Sequence, residues 1–269
     1  MVAGLVFGAI AVLMLALIFW PRWRRRRIEN APFAEAWLGY LENNLPVYNK
    51  LPAADQRQLQ RLIKVFIHQK TFFGCAGLQI NDEIRVSVAA QACLLLLNRA
   101  SSIYGNLDYI LIYPEAFKKT AAQADEAGVI SEANIGLLGE SWSNGKVILS
   151  WDDVTRGVSD FSDGQNVVLH EFAHQLDAES GSTNGAPPLY RNRYSVWAKV
   201  LAGEYDQLQQ DVLRHHRTVM DYYGATNPAE FFAVATETFF EKPREMADRH
   251  PELYEQLKLY YCVDPSGWQ

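Results

Sequence analysis

Between residues 2 and 20 the chain reads VAGLVFGAIAVLMLALIFW, an uncharged and almost wholly apolar run. At about 1.5 Å per residue, a helix of that length spans most of a roughly 30 Å hydrocarbon layer, so the pattern predicts one transmembrane helix. Beyond it the apolar positions become periodic. FAEAWLGYLENNLP reads as an amphipathic helix stopped at Pro46, and ADQRQLQRLIKVFIHQK places Leu59, Leu62, Ile63 and Phe66 on one helical face. NDEIRVSVAAQACLLLLNRA predicts a buried helix opened by Asn81 or Asp82. Two β-branched and aromatic runs bounded by turn formers, LDYILIYP (Leu107 to Pro114) and KVILSW (Lys146 to Trp151), predict the strands of a small sheet. DGQNVVLHEFAHQLDAES returns to helical periodicity, with Asp163 near its cap and Gly181 past its end. A long amphipathic run from Tyr190 to about Arg217, then NPAEFFAVATETFFEKP, then a terminal helix near PELYEQLKLYY complete the chain. Helices, a minor sheet and helices again predict an α+β fold in which helix dominates.

Composition narrows the picture. The chain has 269 residues, 49% of them hydrophobic and 21% charged, which suits a globular domain with a substantial core. With no Gly/Ser-rich linker and no repeat after the apolar run, two units are expected: an anchor with its basic flank at 1–27 and one domain at 28–269. A net charge of -6 and a pI near 5.6 argue against a nucleic-acid partner, which needs a concentrated basic surface. The one basic cluster, PRWRRRR from Pro21 to Arg27, follows the apolar run, whereas a cleaved signal peptide carries its charge before it. Arginines flanking a span tend to remain cytoplasmic, and Trp20 and Trp23 suit the lipid–water interface. The expected placement is therefore a single pass through the inner membrane with the domain in the cytoplasm. The arginines also offer contacts for anionic lipid. Cys75, Cys93 and Cys262 have no C-x-x-C spacing and read as reduced, buried thiols.

The candidate chemistry lies in VVLHEFAHQLDAESG. His170, Glu171 and His174 have the H-E-x-x-H spacing, which on a helix sets two imidazoles about 5 to 6 Å apart on one face, within reach of one ion. Glu171 falls one residue round, able to reach a water without binding the metal. Two histidines and a glutamate in a buried helix are costly without a partner, and zinc supplies one. Asp177, on the same face, is positioned to orient a ligand imidazole or to stand as a solvated carboxylate near the helix end. A catalytic zinc needs a third protein ligand. His215 and His216 sit on a polar helix, His250 begins one, His68 suits a helix C-terminus, and Cys75 and Cys93 have no acidic or His neighbour. YYGATNPAEFFAVATETFF is better, because Glu230 and Glu237 are seven apart on an otherwise apolar helix. Glu230 is also placed to complete a cap with Asn227 and Pro228, and Glu237 to serve as a supporting acid or an ion-pair member.

HEFAHQLD, YYGATNPAEFFAVATETFF and the upstream GLQINDEIRVSVAAQACLLLL together resemble the Mlc titration factor A family of zinc peptidases, over most of the chain after the apolar run. The second block is also similar to the protease domain of the lethal-factor toxin, in which a later helix supplies the third ligand from an E-F-F sequence and a tyrosine seven residues earlier faces the metal. That resemblance implies a zincin-like metallopeptidase domain, with His170, His174 and Glu230 as zinc ligands and Tyr223 as the facing tyrosine. Tyr222 is the alternative phenol, otherwise expected to pack in the core. The toxin carries a second acid four residues after the ligand, where this chain has Val234. The expected reaction is hydrolysis of a peptide or protein substrate by a zinc-activated water, with Glu171 as general base and acid and Tyr223 donating to the oxyanion. KVILSW is the candidate edge for an extended substrate. The resemblance also implies association with a transcriptional repressor of sugar uptake, so the alternative is a weakly catalytic or non-catalytic membrane-tethered protein that sequesters a regulator.

Overall fold

The structure, a computed structural model, describes residues Met14, Leu17, 19–100, 102–115 and 145–268. The expected span 2–20 therefore lies almost entirely outside the described residues. Among those described, no helix is long and apolar enough to cross a membrane. Residues 19–30 are helical, and Glu29 pairs with Arg25 one turn earlier at 2.7 Å.

Nine further α-helices and one sheet follow among the described residues: α1 (Glu35–Asn44), α2 (Ala53–Gln69), β1 (Thr71–Gly74), α3 (Asp82–Leu94), β2 (Tyr109–Tyr113), β3 (Lys146–Ser150), α4 (Trp151–Ser159), α5 (Val167–Ala178), α6 (Tyr194–Leu213), α7 (Pro228–Glu241), α8 (Pro243–Arg249) and α9 (Pro251–Tyr261). The predominance of helix over a small sheet is the expected α+β architecture. The sheet has order β1-β2-β3 and is parallel throughout, with Thr71, Tyr109 and Lys146 in register. Strand β1 was not expected, because TFFG is too short to display an alternating pattern. Strand β3 ends one residue before Trp151. The Ser150 hydroxyl accepts from Asp153 N, so the chain passes directly from strand to capped helix.

Local rules explain most helix starts. Asn81 caps α3 by accepting from Ile84 N, and Asn227 caps α7 by accepting from Ala229 N and Glu230 N, with Pro228 in the first turn. Helix α5 departs from expectation: its cap is Asn166, which accepts from Val168 N and Leu169 N, while Asp163 only closes a turn onto Gln165 N. The run expected from Tyr190 to about Arg217 is helical only from Tyr194 to Leu213.

Helices α5 and α7 pack side by side at the centre, with α3 against α5. Phe172, fully buried on the back of α5, meets Tyr104 at 4.8 Å and Phe66 at 5.7 Å between ring centroids. This anchors the rear of α5 in the core, so its front face is held toward α7. The thiols divide differently from the expected buried set: Cys93 is buried, Cys75 half-buried and Cys262 exposed.

Candidate metal centre

The H-E-x-x-H helix α5 presents His170 and His174 on the face that meets α7, and Glu230, in the first turn of α7, points between them. Glu230 Oε2 lies 2.9 Å from His170 Nε2 and 3.3 Å from His174 Nε2, and the two Nε2 atoms are 3.2 Å apart. The donors of all three residues fall within 4.8 Å of one another. Glu230 is thus not the acid of a capping box. Asn227 caps the helix alone, and its cap delivers the carboxylate to the histidines.

Glu237, two turns along α7, accepts at Oε1 from His170 Nδ1 at 2.7 Å. Both ring nitrogens of His170 thus face carboxylates, Nδ1 donating to Glu237 and Nε2 to Glu230; a metal would take the place of the Nε2 proton while the bond to Glu237 continued to orient the ring. The carboxylate that orients a ring here is therefore Glu237. Asp177 is fully buried rather than solvated: its Oδ2 accepts from Gly185 N at 2.7 Å and fastens the segment after α5, and it lies close enough to His174 for their charges to interact.

Electrostatics fit the geometry. Burial alone would push the His170 imidazole down, yet the charge of Glu237 and hydrogen bonds to Glu230 and Glu237 lift it to about 10. Burial would raise Glu230, but its hydrogen bonds with His170 and His174 hold it at about 2. Burial raises Glu237, and burial also raises Glu241, to about 8.

Tyr223 stands over the site, its ring centroid 6.0 Å from that of His170. Burial, the charges of Glu230 and Glu171, and a hydrogen bond with Glu230 push its hydroxyl up to about 12. Tyr222 is not packed in the core; it is exposed and donates its hydroxyl to the His216 carbonyl. Glu171 is 7% exposed and near enough to bear on the charge states of both His170 and Tyr223. The other histidines lie elsewhere: His216 pairs with Asp211 at 3.1 Å, His250 with Glu204 at 2.6 Å, and His68 is exposed in the last turn of α2.

Two residues that support the site do not stand out in the sequence. Asn166 and Glu241 are buried and hydrogen-bonded to each other at 3.0 Å. The signal that could have found Glu241 is spacing, since Glu230, Glu237 and Glu241 recur at intervals of seven and four and share one helical face.

The donor set suits a metal. Two donors about 2.0 to 2.2 Å from a tetrahedral ion stand roughly 3.3 to 3.5 Å apart. The separations of 2.9, 3.2 and 3.3 Å among the three ligand atoms need only small side-chain adjustments to match.

A helix-dominated α+β domain in which an H-E-x-x-H helix and a neighbouring helix bring two histidines and a glutamate together points to the metallopeptidase class. Residues 20–262 match the family described as glucose-regulated metallo-peptidase M90, and the chain belongs to that family. It is 42% identical over 248 residues to a Synechocystis sp. protein bearing the name "Uncharacterized protein slr2042", covering 91% of this chain and 90% of that one. It is 31% identical over 255 residues to the Mlc titration factor A of Serratia proteamaculans, covering 93% and 94% of the two chains. It is also 31% identical over 240 residues to the Mlc titration factor A of Yersinia pestis, covering 88% of each.

Proposed function

We propose that the chain is a zinc-dependent metallopeptidase in which His170, His174 and Glu230 hold the metal, Glu171 moves the proton and Tyr223 steadies the oxyanion. The observation that carries this reading is the insertion of Glu230 between the two histidine Nε2 atoms while Glu237 holds His170 from behind. Two imidazoles and one carboxylate favour zinc over harder, all-oxygen ions. Bound there, zinc supplies a Lewis acid that activates water and polarises a carbonyl. Glu171 accepts the proton of the attacking water on its carboxylate and returns it to the leaving amine nitrogen. Tyr223, protonated at neutral pH, donates its hydroxyl hydrogen to the carbonyl oxygen as negative charge develops there. Strand β3 adjoins α5 and, among the described residues, is paired on one side only, which supports addition of an extended substrate. The test is Glu171→Gln, expected to keep zinc and lose about 10²- to 10⁴-fold in peptide cleavage. Unchanged turnover sinks the reading.

A second reading draws on the name of two relatives, Mlc titration factor A. Here the domain captures a transcriptional regulator, with cleavage weak or absent. Capture by Glu171→Gln at wild-type strength, with no cleavage by the wild type, favours it.

The proposed setting is a membrane. The uncharged run 2–20 supports a single anchor, and the five arginines among residues 21–27 support a cytoplasmic domain. The link from helix 19–30 to the domain is short and fastened. Lys64 Nζ donates to Glu29 O at 2.7 Å and to Ala31 O, and Ile28 and Phe33 pack on the core. Digestion of the domain by protease added from the periplasmic side would reject this orientation.

A further inference from the structure

Asn166 begins the metal helix α5, and every hydrogen-bonding group it owns is engaged. Its Oδ1 accepts from Val168 N at 3.1 Å and Leu169 N at 3.0 Å. Its carbonyl accepts from His170 N at 2.9 Å. The remaining two groups, both donors, go to α7: the backbone N–H to Glu237 Oε2, and Nδ2 to Glu241 Oε1 at 3.0 Å. Glu241 also accepts at Oε2 from Gly164 N at 2.9 Å. Gly164 turns that N–H inward with φ of 76°, a conformation that favours glycine, and Lys242 Nζ would lie 3.2 Å from any Cβ there.

A cap needs none of this. Serine, threonine or aspartate would satisfy the first N–H groups of α5 without a partner on α7. A second buried carboxylate one turn beyond Glu237 is costly, and its hydrogen bonds to Asn166 and Gly164 offset that cost only while α5 and α7 keep their spacing. Asn166 is also confined from a third side. A Cβ at Gly157 of α4 would lie 3.2 Å from its Cγ and Nδ2, closer than most carbon contacts. Since Asn166 is one turn before His170, and Glu237 bonds both residues, any shift of Asn166 relative to α7 moves His170 relative to Glu230.

We propose that Asn166 and Glu241 are positioning residues: together they form a clamp that fixes the start of the metal helix on the third-ligand helix and so sets the spacing of His170 and Glu230. The proposal rests on the metal-binding part of the function proposed above. It assigns neither residue to the chemistry.

The polarity of the clamp makes it testable. Asn166→Asp is nearly isosteric and keeps the helix cap, but above about pH 8, where Glu241 is ionised, it sets two carboxylates against each other in place of a donor and an acceptor. Combining it with Glu241→Gln restores a donor–acceptor pair in the reverse direction, keeps an acceptor for Gly164 N and leaves the net charge unchanged. The readout is Zn2+ affinity of the full chain at about pH 9, where Glu241 is ionised, measured by competition with a chromophoric chelator, with far-UV circular dichroism as the folding check. The single change is expected to weaken Zn2+ binding by about 10- to 100-fold, and the double change to recover most of that loss. Wild-type affinity in Asn166→Asp, or a double variant no tighter than the single one, overturns the clamp. If Asn166→Asp fails to fold, Glu241→Gln alone must weaken Zn2+ binding, and wild-type affinity there overturns it equally. A wild-type chain with clamp-dependent Zn2+ binding that cleaves no peptide rejects the peptidase reading and leaves the clamp standing. Cleavage with clamp-independent Zn2+ affinity does the reverse.

Discussion

Tyr222 and Tyr223 are neighbours in one 3-10 turn, Tyr222–Ala225, and their hydroxyls go to opposite sides of it. Tyr222 donates to the His216 carbonyl outside the site, whereas Tyr223 hydrogen-bonds with Glu230 and lies over His170. Two phenols adjacent in the sequence are thus separated by the turn, which Asp221 fixes by accepting from Tyr223 N at 2.8 Å. Tyr223→Phe is expected to lower kcat for peptide cleavage by about 10²- to 10³-fold with little change in KM, the effect of removing one oxyanion donor. Tyr222→Phe should leave kcat unchanged. Steady-state kinetics on one peptide compares them, and equal rates for the two variants reject the assignment.

Metal removal is expected to have a graded outcome, because the three proposed ligands also bond one another. With His170 held by Glu230 at 2.9 Å and Glu237 at 2.7 Å, the site keeps an internal ion pair, which is expected to preserve the fold without zinc. Chelation should lower Tm reversibly rather than unfold the protein. At a zinc concentration 100 times Kd, the stabilisation lost is about 2.7 kcal/mol. Calorimetry with chelator, then with zinc restored, measures it, and Glu230→Gln should diminish the zinc-dependent shift. A Tm indifferent to zinc in the wild type counts against these ligands.

What could be read from the chain was what leaves a local mark. The helices carrying the site follow from their periodicity, the start of α7 from Asn227 and Pro228, and the pairing of His170 with His174 on one face from a four-residue spacing. Glu230 was legible because an acid set in an apolar run needs a reason. The true cap of α5 was not, because three polar residues, Asp163, Gln165 and Asn166, precede the helix and any local rule accepts more than one. Contacts of Asn166 with Glu237 and Glu241 cross 71 and 75 residues, and such distances leave no periodic trace. Asp177 shows the same limit. Spacing puts it on the His174 side of the helix, but only the folded loop reveals that Gly185 N takes its carboxylate.

Glu241 gives the protein a pH dependence of definite sign. Burial lifts its carboxyl from an ordinary 4.5 to about 8, so the folded state holds the proton more tightly than the unfolded chain. Such a group makes stability fall as pH rises from about 4.5 to about 8, with a slope of at most about 1.4 kcal/mol per pH unit. Other carboxylates titrate as well, so the quantity to measure is the difference in unfolding free energy between wild type and Glu241→Gln. Urea titrations at pH 5, 6, 7 and 8 should show that difference moving steadily against the wild type. A difference independent of pH removes the prediction.

Gly185 ties α5 to α7 at the end opposite Asn166. Its N–H is held by Asp177 of α5, and its carbonyl accepts from Trp197 Nε1 at 2.9 Å. Its φ is 79°, and a Cβ there would lie 2.5 Å from the carbonyl oxygen of Pro228, the first residue of α7. Gly185→Ala therefore combines a left-handed backbone that disfavours a side chain by about 1 to 2 kcal/mol with a collision that only movement of the loop or of α7 relieves. Because Pro228 precedes Glu230 by two residues, relief by α7 displaces Glu230 from the histidines, and relief by the loop breaks the bond to Asp177. Two measurements separate these outcomes. Movement of α7 lowers both unfolding free energy and zinc affinity, whereas movement of the loop lowers stability alone, a loss that Asp177→Asn should partly reproduce. Since Trp197 and Asp177 hold the loop from both sides, the expected result is the first. Wild-type stability in Gly185→Ala would contradict the close packing of this loop on α7.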